Sequence, residues 1–316
     1  MARPAFRGGA VQVRVPATSA NLGPGFDSFG LALDLCDDLL ARVADSGIVV
    51  DVAGEGAGNV PLDEGHLVVK AMRTTFERLG GQPHGLELVC ANRIPHGRGL
   101  GSSAAAIVGG ILLARGLVLG GDETLPDPMV LALASEIEGH PDNVAPCLLG
   151  GLTIAWTDEN DAAGAQRVEM SEAIRPLVFI PPFECSTEKV RGLLPDSVPH
   201  KDASFNAGRA ALLIAALTDR AGTAGDALAL GKLLLTATQD RLHQPYRASA
   251  MAESAELIEQ LRGERLASVV SGAGPTVLTF AVDDAQIERG KAFTPQGWRC
   301  EELAVNTTGA VQVERR

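Results

Sequence analysis

The sequence lacks any surplus of positive charge: 27 lysines and arginines stand against 39 aspartates and glutamates, a net charge of −12. That balance argues against nucleic acid or an anionic membrane as partner. It also means that an anionic ligand must be held by local groups rather than by a general field. A disulfide framework is missing too. Cys36, Cys90, Cys147, Cys185 and Cys300 are odd in number and scattered, with no Cys-x-x-Cys pair, which predicts free thiols in a reducing cytoplasm. No hydrophobic run is long enough to span a bilayer; the longest, about Ile107 to Leu119, is interrupted by Arg115 and by glycines. The opening Met-Ala-Arg-Pro-Ala-Phe-Arg has no apolar stretch behind it, so no secretory signal is expected. Lysine is absent between Lys70 and Lys189, which removes the P-loop pattern Gly-x-x-x-x-Gly-Lys-Ser/Thr from that region. The His-Arg-Asp and Asp-Phe-Gly signatures of protein kinases are absent as well.

What that lysine-free stretch does hold is glycine and serine. Residues 93–106 read Arg-Ile-Pro-His-Gly-Arg-Gly-Leu-Gly-Ser-Ser-Ala-Ala-Ala. Gly97, Gly99 and Gly101 remove every second Cβ, so backbone N–H groups can approach a bulky anion. Ser102 and Ser103 fall where an apolar helix begins, and a helix start offers unpaired N–H donors and partial positive charge. A dinucleotide loop would be spaced Gly-x-Gly-x-x-Gly with an acid about 20 residues on; here the spacing is Gly-x-Gly-x-Gly, and Asp122 follows a double glycine in a turn. The plain alternative is a helix-capping turn with Ser as N-cap. The loop reads as a cradle for a nucleoside triphosphate.

At 316 residues, 46% of them hydrophobic, the chain is long enough for about two domains with buried cores. Alternation at Val11, Val13 and Val15 predicts a strand. The stretches 39–45 and 48–53 around Ser46-Gly47 predict a hairpin. Residues 66–79 have helical spacing and end at Gly80-Gly81. A strand at 86–90 leads to the glycine loop, followed by helices at about 102–119, 128–138 and 142–148 and a strand at 151–156. Residues 157–169 are polar and read as an irregular boundary, dividing the chain into 1–160 and 161–316. Beyond it the pattern predicts a strand at 176–181, helices near 187–193, 203–219, 225–238 and 250–262, and strands near 266–271, 275–282 and 298–305. Mixed helices and strands in both halves indicate α+β architecture.

Six separate segments together resemble one family. Pro16-Ala-Thr-Ser-Ala-Asn-Leu-Gly-Pro-Gly-Phe-Asp27, the loop from Pro95 to Ala105, and Ser271-Gly-Ala-Gly-Pro-Thr-Val277 are similar, in order and separation, to the three motifs of the GHMP small-molecule kinases. Asn21 to Asp27, Glu138-Gly-His-Pro-Asp-Asn-Val-Ala-Pro146, Ser186-Thr-x-x-x-Arg191 and Pro245-Tyr-Arg247 resemble the branch that phosphorylates L-homoserine. The resemblance implies a two-domain fold: an N-terminal, nucleotide-binding domain like the second domain of ribosomal protein S5, and a ferredoxin-like C-terminal domain, with the site between them. It implies ATP as phosphoryl donor, Mg2+, and a place in threonine biosynthesis; a homodimer is common among relatives and is not legible here.

The same resemblance implies the site. Pro95, His96, Gly97, Arg98, Gly99, Leu100, Gly101, Ser102, Ser103, Ala104 and Ala105 would bind ATP. His66 would border the adenine, where relatives often carry asparagine. Ser103 and Glu136 would hold Mg2+. Glu138 lies two residues on, on another helix face, and alignment of Ala-Ser-Glu-Ile-Glu-Gly-His favours Glu136. Asp27 suits the substrate ammonium, and Arg191 and Arg247 its carboxylate, since guanidinium pairs bidentately. Thr187, Gly272 and Gly274 complete the substrate site. Asn21, His140 and Asp142 fall to the hydroxyl end as catalytic residues. Whether Asp142 or His140 is a base, or the proton leaves with the phosphoryl group, stays open. Rivals are another kinase of the superfamily, acting on mevalonate, a sugar or shikimate, and a binding protein without turnover. The first rival has no ammonium for Asp27 to receive.

Overall fold

A computed structural model of the chain describes residues 4–223 and 225–313. The elements of the first part are β1 (Val11–Ala20), β2 (Phe29–Ala44), β3 (Gly47–Gly54), α1 (Leu67–Arg78), β4 (Gly85–Asn92), α2 (Ser102–Leu117), α3 (Gly121–Thr124), α4 (Asp127–Glu138), α5 (Pro141–Leu149), β5 (Leu152–Thr157) and β6 (Ala163–Val168). Then follow β7 (Arg175–Ile180), α6 (Thr187–Arg191), α7 (His200–Leu217), α8 (Ala227–Ala237), α9 (Gln244–Arg247), α10 (Ala252–Gly263), β8 (Ala267–Val270), β9 (Val277–Ala281), α11 (Asp284–Lys291), β10 (Arg299–Glu302) and β11 (Val311–Gln312).

The first sheet runs β11-β1-β2-β4-β3, with β5 added to β2 and β6 to β5. Helix α2 is buried nearly all round, because it lies between this sheet and α1. Its two central glycines permit that approach: a Cβ on Gly109 would fall 2.3 Å from Leu39 Cδ1, and one on Gly110 2.6 Å from the Val68 carbonyl. The second sheet runs β10-β7-β9-β8, all antiparallel. In chain order that is 4-1-3-2, the ferredoxin-like arrangement the family resemblance implies.

Two local expectations fail for identifiable reasons. The Ser46-Gly47 turn does not close a hairpin, since β4 inserts between β2 and β3, antiparallel to one and parallel to the other. The turn crosses the start of β4 at Gly85, where any Cβ would fall 2.5 Å from the Ser46 carbonyl carbon. Glycine there makes the crossing possible. The polar stretch 157–169 is not irregular: it forms β6, paired with β5. The turn closes on Asp158 Oδ1, which accepts from the N–H groups of Asn160 and Ala162. A division at residue 160 therefore runs through a hairpin. The chain end also returns to the first sheet: Val305 bridges Leu33, and β11 pairs with β1.

Candidate active site

The three motifs lock into one structure between the two sheets. Leu100 O accepts from Thr18 N at 3.0 Å, Ala20 O from Gly272 N at 3.0 Å, and Arg98 O from Thr276 N at 3.1 Å. The Ser271 hydroxyl lies 2.6 Å from Gly99 O and 2.8 Å from Ser19 Oγ. Gly97, Gly99 and Gly101 have φ of 64°, 77° and 69°, a region costly for other residues. Space demands glycine as well: a Cβ on Gly99 would fall 2.3 Å from Ser271 O, and one on Gly101 1.9 Å from Thr18 Oγ1.

Helix α2 begins at Ser102 with Gly101 as its N-cap, and no side chain caps it. Neither serine is the N-cap, so the capping alternative fails. Two adjoining cavities share Ser102 and Ser103 of the first turn of α2 as lining residues. One, of about 240 Å³, is lined by Val60, Pro61, His66, Leu67, Val68 and His96. Its lining is mostly apolar. His66 is buried with Nδ1 unpartnered, and burial holds its pKa below the usual histidine value. The second, of about 260 Å³, brings the glycine loop together with Asn21, Glu138, His140, Asp142, Thr187, Arg191, Arg247 and Gly272.

The groups around the second cavity are held by partners; Asp27 is not among its lining residues and joins it through Arg191. Asn21, at φ 67°, donates from Nδ2 to Gly272 O at 2.8 Å and accepts from Asp27 N at 2.9 Å. Asp27 and Arg191 form a bidentate pair at 2.6 and 3.0 Å. Its hydrogen bond with Asp27 holds Arg191 above its ordinary pKa, against burial. Asp142 is 1% exposed, its Oδ1 2.6 Å from His140 Nδ1. A carboxylate only accepts, so the proton sits on Nδ1 and His140 Nε2 is left to serve the cavity. Burial works against the charged ring, but the Asp142 hydrogen bond and charge outweigh it and raise the His140 pKa. Arg247 is 1% exposed, with Nε unpartnered; burial pulls its pKa down.

Several expected residues stand elsewhere. Glu136 does not reach Ser103. It points outward, its side chain 62% exposed and paired with Arg78 at 2.8 Å. Glu138 occupies the place instead, accepting from Ser103 Oγ at 2.5 Å. Two residues along a helix rotate a side chain by about 200°, so only one of the pair can face the loop. Burial raises the Glu138 carboxyl pKa, opposed by the Ser103 hydrogen bond. Arg98 turns away from the cavity, bonding the carbonyls of Pro181 and Pro182 and the Glu184 carboxylate. It fastens the loop to the segment before α6. Leu100, Ala104 and Ala105 are buried in the core, leaving only their backbone for phosphate. Gly274 packs beside Gly99 and Met251, while Gly272 and Ala273 line the cavity. Sequence reasoning passed over Asn143, Cys185 and Ala273, which also line it; the Thr18 hydroxyl donates to Asn143 Oδ1 at 2.9 Å.

Residues 66–151 match the GHMP kinases N terminal domain, and residues 213–296 match the GHMP kinases C terminal. A homoserine kinase from Streptomyces avermitilis is 57% identical over 310 residues, covering 98% of each chain. The chain belongs to the GHMP kinases. A second relative of this kinase, a homoserine kinase from Clavibacter michiganensis subsp. michiganensis, is 52% identical over 97% of this chain and 95% of its own. The fold of the kinase is shared with the crystal structure of homoserine kinase from Cytophaga hutchinsonii, at a TM-score of 0.79 and 24% identity, covering 99% of this chain and 100% of that one. Mevalonate diphosphate decarboxylase from Staphylococcus aureus shares it more distantly, at 0.64 and 15% identity, covering 96% and 98%.

Proposed function

We propose that this kinase transfers the γ-phosphoryl group of ATP to the side-chain hydroxyl of L-homoserine, giving O-phospho-L-homoserine and ADP in the cytoplasmic route to threonine. The observation that carries the reading is the charge pattern of the second cavity. A buried Arg247 guanidinium with an unpartnered Nε, and Arg191 with its partner Asp27, share one cavity wall with the glycine loop. An amino acid's carboxylate and ammonium match those guanidinium and carboxylate groups, as a neutral sugar does not. The relatives at 57% and 52% identity bear the same substrate in their names.

The apolar cavity around His66 receives adenine, and the loop N–H groups and the start of α2 receive the phosphates. Asp27 takes the ammonium. Arg191 and Arg247 take the carboxylate, which fixes the other end of the molecule, the hydroxyl, near Asn21, His140 and Asp142. Holding the hydroxyl in line with the γ-phosphorus is most of what phosphoryl transfer asks of a protein. The new O–P bond forms as the bond to the bridging oxygen of ADP breaks. Asp142 and His140 orient the hydroxyl, and its proton leaves with the phosphoryl group.

Ser103 and Glu138 suit a hard divalent cation: a hydroxyl and a half-buried carboxylate oxygen meet at the mouth of the phosphate loop. Magnesium commonly takes one or two protein oxygens alongside phosphate and water, and it would neutralise charge on the β- and γ-phosphates. Steady-state ADP release with L-homoserine, mevalonate, galactose and shikimate tests the reading. Turnover confined to L-homoserine is expected; turnover with one of the others, or none at all, overturns it.

A further inference from the structure

His243 precedes α9 and stands four residues before Arg247. Its side chain is fully buried and stacks on Phe26, ring centroids 5.2 Å apart. Its two ring nitrogens meet partners whose roles are fixed by chemistry. Nε2 lies 2.6 Å from the Gly23 carbonyl oxygen, which can only accept. Nδ1 lies 3.3 Å from an Arg247 guanidinium nitrogen, which can only donate. One assignment satisfies both: a neutral imidazole with its proton on Nε2 and its lone pair on Nδ1. An imidazolium, or the other tautomer, would aim N–H against N–H.

The surroundings hold the ring in that state. Asp240 Oδ2 is 3.5 Å from Nε2, but the Asp240 carboxylate already accepts from Asn206 Nδ2 and from the N–H groups of Leu242, His243 and Gln244. From the β1–β2 connection, Asp27 adds a second, more distant negative charge, while Arg247 adds a positive one at Nδ1. Burial outweighs the carboxylates and keeps the His243 pKa below the usual value. Arg247 in turn has few other holds. Its guanidinium lies 5.1 Å from the Phe26 ring centre and 3.4 Å from Gly272 O, and Nε is unpartnered. No direct ion pair with a carboxylate fixes it among the described residues.

We infer that His243 is a positioning residue of the acceptor site: as the neutral Nε2–H tautomer it holds the Arg247 guanidinium in the orientation that receives the acceptor's carboxylate. The inference rests on the reading of Arg247 as a carboxylate-binding group. It adds a specificity element that does not touch the substrate.

Two measurements on the full chain test it. Long-range proton–nitrogen spectra of protein labelled with 15N-histidine report the tautomer without any substrate. The His243 signal, identified by its loss in His243→Asn, is expected as a neutral ring protonated at Nε2 at neutral pH. An Nδ1–H ring or an imidazolium overturns the inference. The kinetic arm compares His243→Leu, which removes the acceptor, with His243→Asn, whose amide oxygen stands near the position of Nδ1. Losing a hydrogen bond to a charged group should raise the homoserine KM about tenfold to hundredfold in His243→Leu, with the ATP KM and kcat within about threefold of wild type. His243→Asn should recover most of that loss. An unchanged homoserine KM in His243→Leu, a parallel rise in ATP KM, or an Asn variant as impaired as the Leu variant refutes the positioning role. If wild-type protein fails to use homoserine at all, the substrate reading falls, and the tautomer spectrum still decides the state of His243.

Discussion

Replacing Glu138 by glutamine removes one negative charge while keeping its shape. Its Oε1 lies 2.5 Å from Ser103 Oγ, at the junction of the two cavities. If these two oxygens hold the cation that neutralises the phosphates, kcat should fall roughly 10²-fold or more, about 2.7 kcal/mol of transition-state stabilisation. Glu136→Gln is the matched control on the same helix. Its carboxylate is mostly exposed and paired with an equally exposed Arg78, an interaction worth about 0–1 kcal/mol, so turnover should stay near wild type. Stability should move the opposite way from activity. The Glu138 pKa is raised by burial, so the folded state binds that proton more tightly than the unfolded chain. Stability from this group is therefore lost as pH rises from the ordinary carboxylate value through the raised folded one. At neutral pH the charge costs stability, and Glu138→Gln should melt at or above the wild-type temperature. Coupled ADP-release assays and thermal melts at neutral pH, on both variants, decide. Loss of turnover in Glu136→Gln with Glu138→Gln near wild type would refute the assignment.

The remaining predictions follow from the same geometry. Arg247→Ala should weaken homoserine use by on the order of 2–5 kcal/mol, since a desolvated carboxylate loses its partner, with ATP binding measured by calorimetry little changed; loss of ATP binding instead would move Arg247 to the phosphates. Asp142→Asn should lower turnover only about tenfold, about 1.4 kcal/mol, if Asp142 orients the hydroxyl; a drop of about a thousandfold, with loss of the acidic limb of the kcat–pH profile, would make it the base. The same change should lower the His140 pKa in an NMR titration, because the Asp142 hydrogen bond and charge are what raise it. That pairing stabilises the fold fully below the ordinary histidine value, and the gain fades as pH rises through the raised folded pKa. Gly99→Ala should impair ATP binding and lower the melting temperature, because the new Cβ would fall 2.3 Å from Ser271 O; an ATP affinity equal to wild type would show that the loop tolerates the displacement.

What could be read from the sequence was what local pattern encodes. Alternating Val11, Val13 and Val15 lie at 4%, 0% and 0% exposure in β1, and the glycine spacing before α2 falls on three left-handed residues, Gly97, Gly99 and Gly101. Long-range placement was hidden. Nothing local to Ser46-Gly47 says that β4 will enter between β2 and β3; only Gly85, 38 residues after Gly47, permits it. The choice between Glu136 and Glu138 depended on which face of α4 meets α2, a packing fact that alignment of a short run could not supply. Arg98 looked like a phosphate ligand because it sits inside the loop, yet its guanidinium found the carbonyls before α6. His243 carried no signal at all, since its importance comes from lying against Arg247 and the Gly23 carbonyl, 220 residues away in sequence.

The central claim is that the second cavity recognises a zwitterion, with Asp27 on the ammonium and Arg191 and Arg247 on the carboxylate. Its most direct test is kcat/KM for L-homoserine against 3-amino-1-propanol, which lacks the carboxylate, and 4-hydroxybutyrate, which lacks the ammonium. All three carry the same primary hydroxyl. The account predicts that either deletion costs at least about thirtyfold, the equivalent of roughly 2 kcal/mol. It further predicts that Arg247→Ala reduces homoserine turnover without reducing that of 3-amino-1-propanol. Comparable kcat/KM for the three acceptors would contradict it.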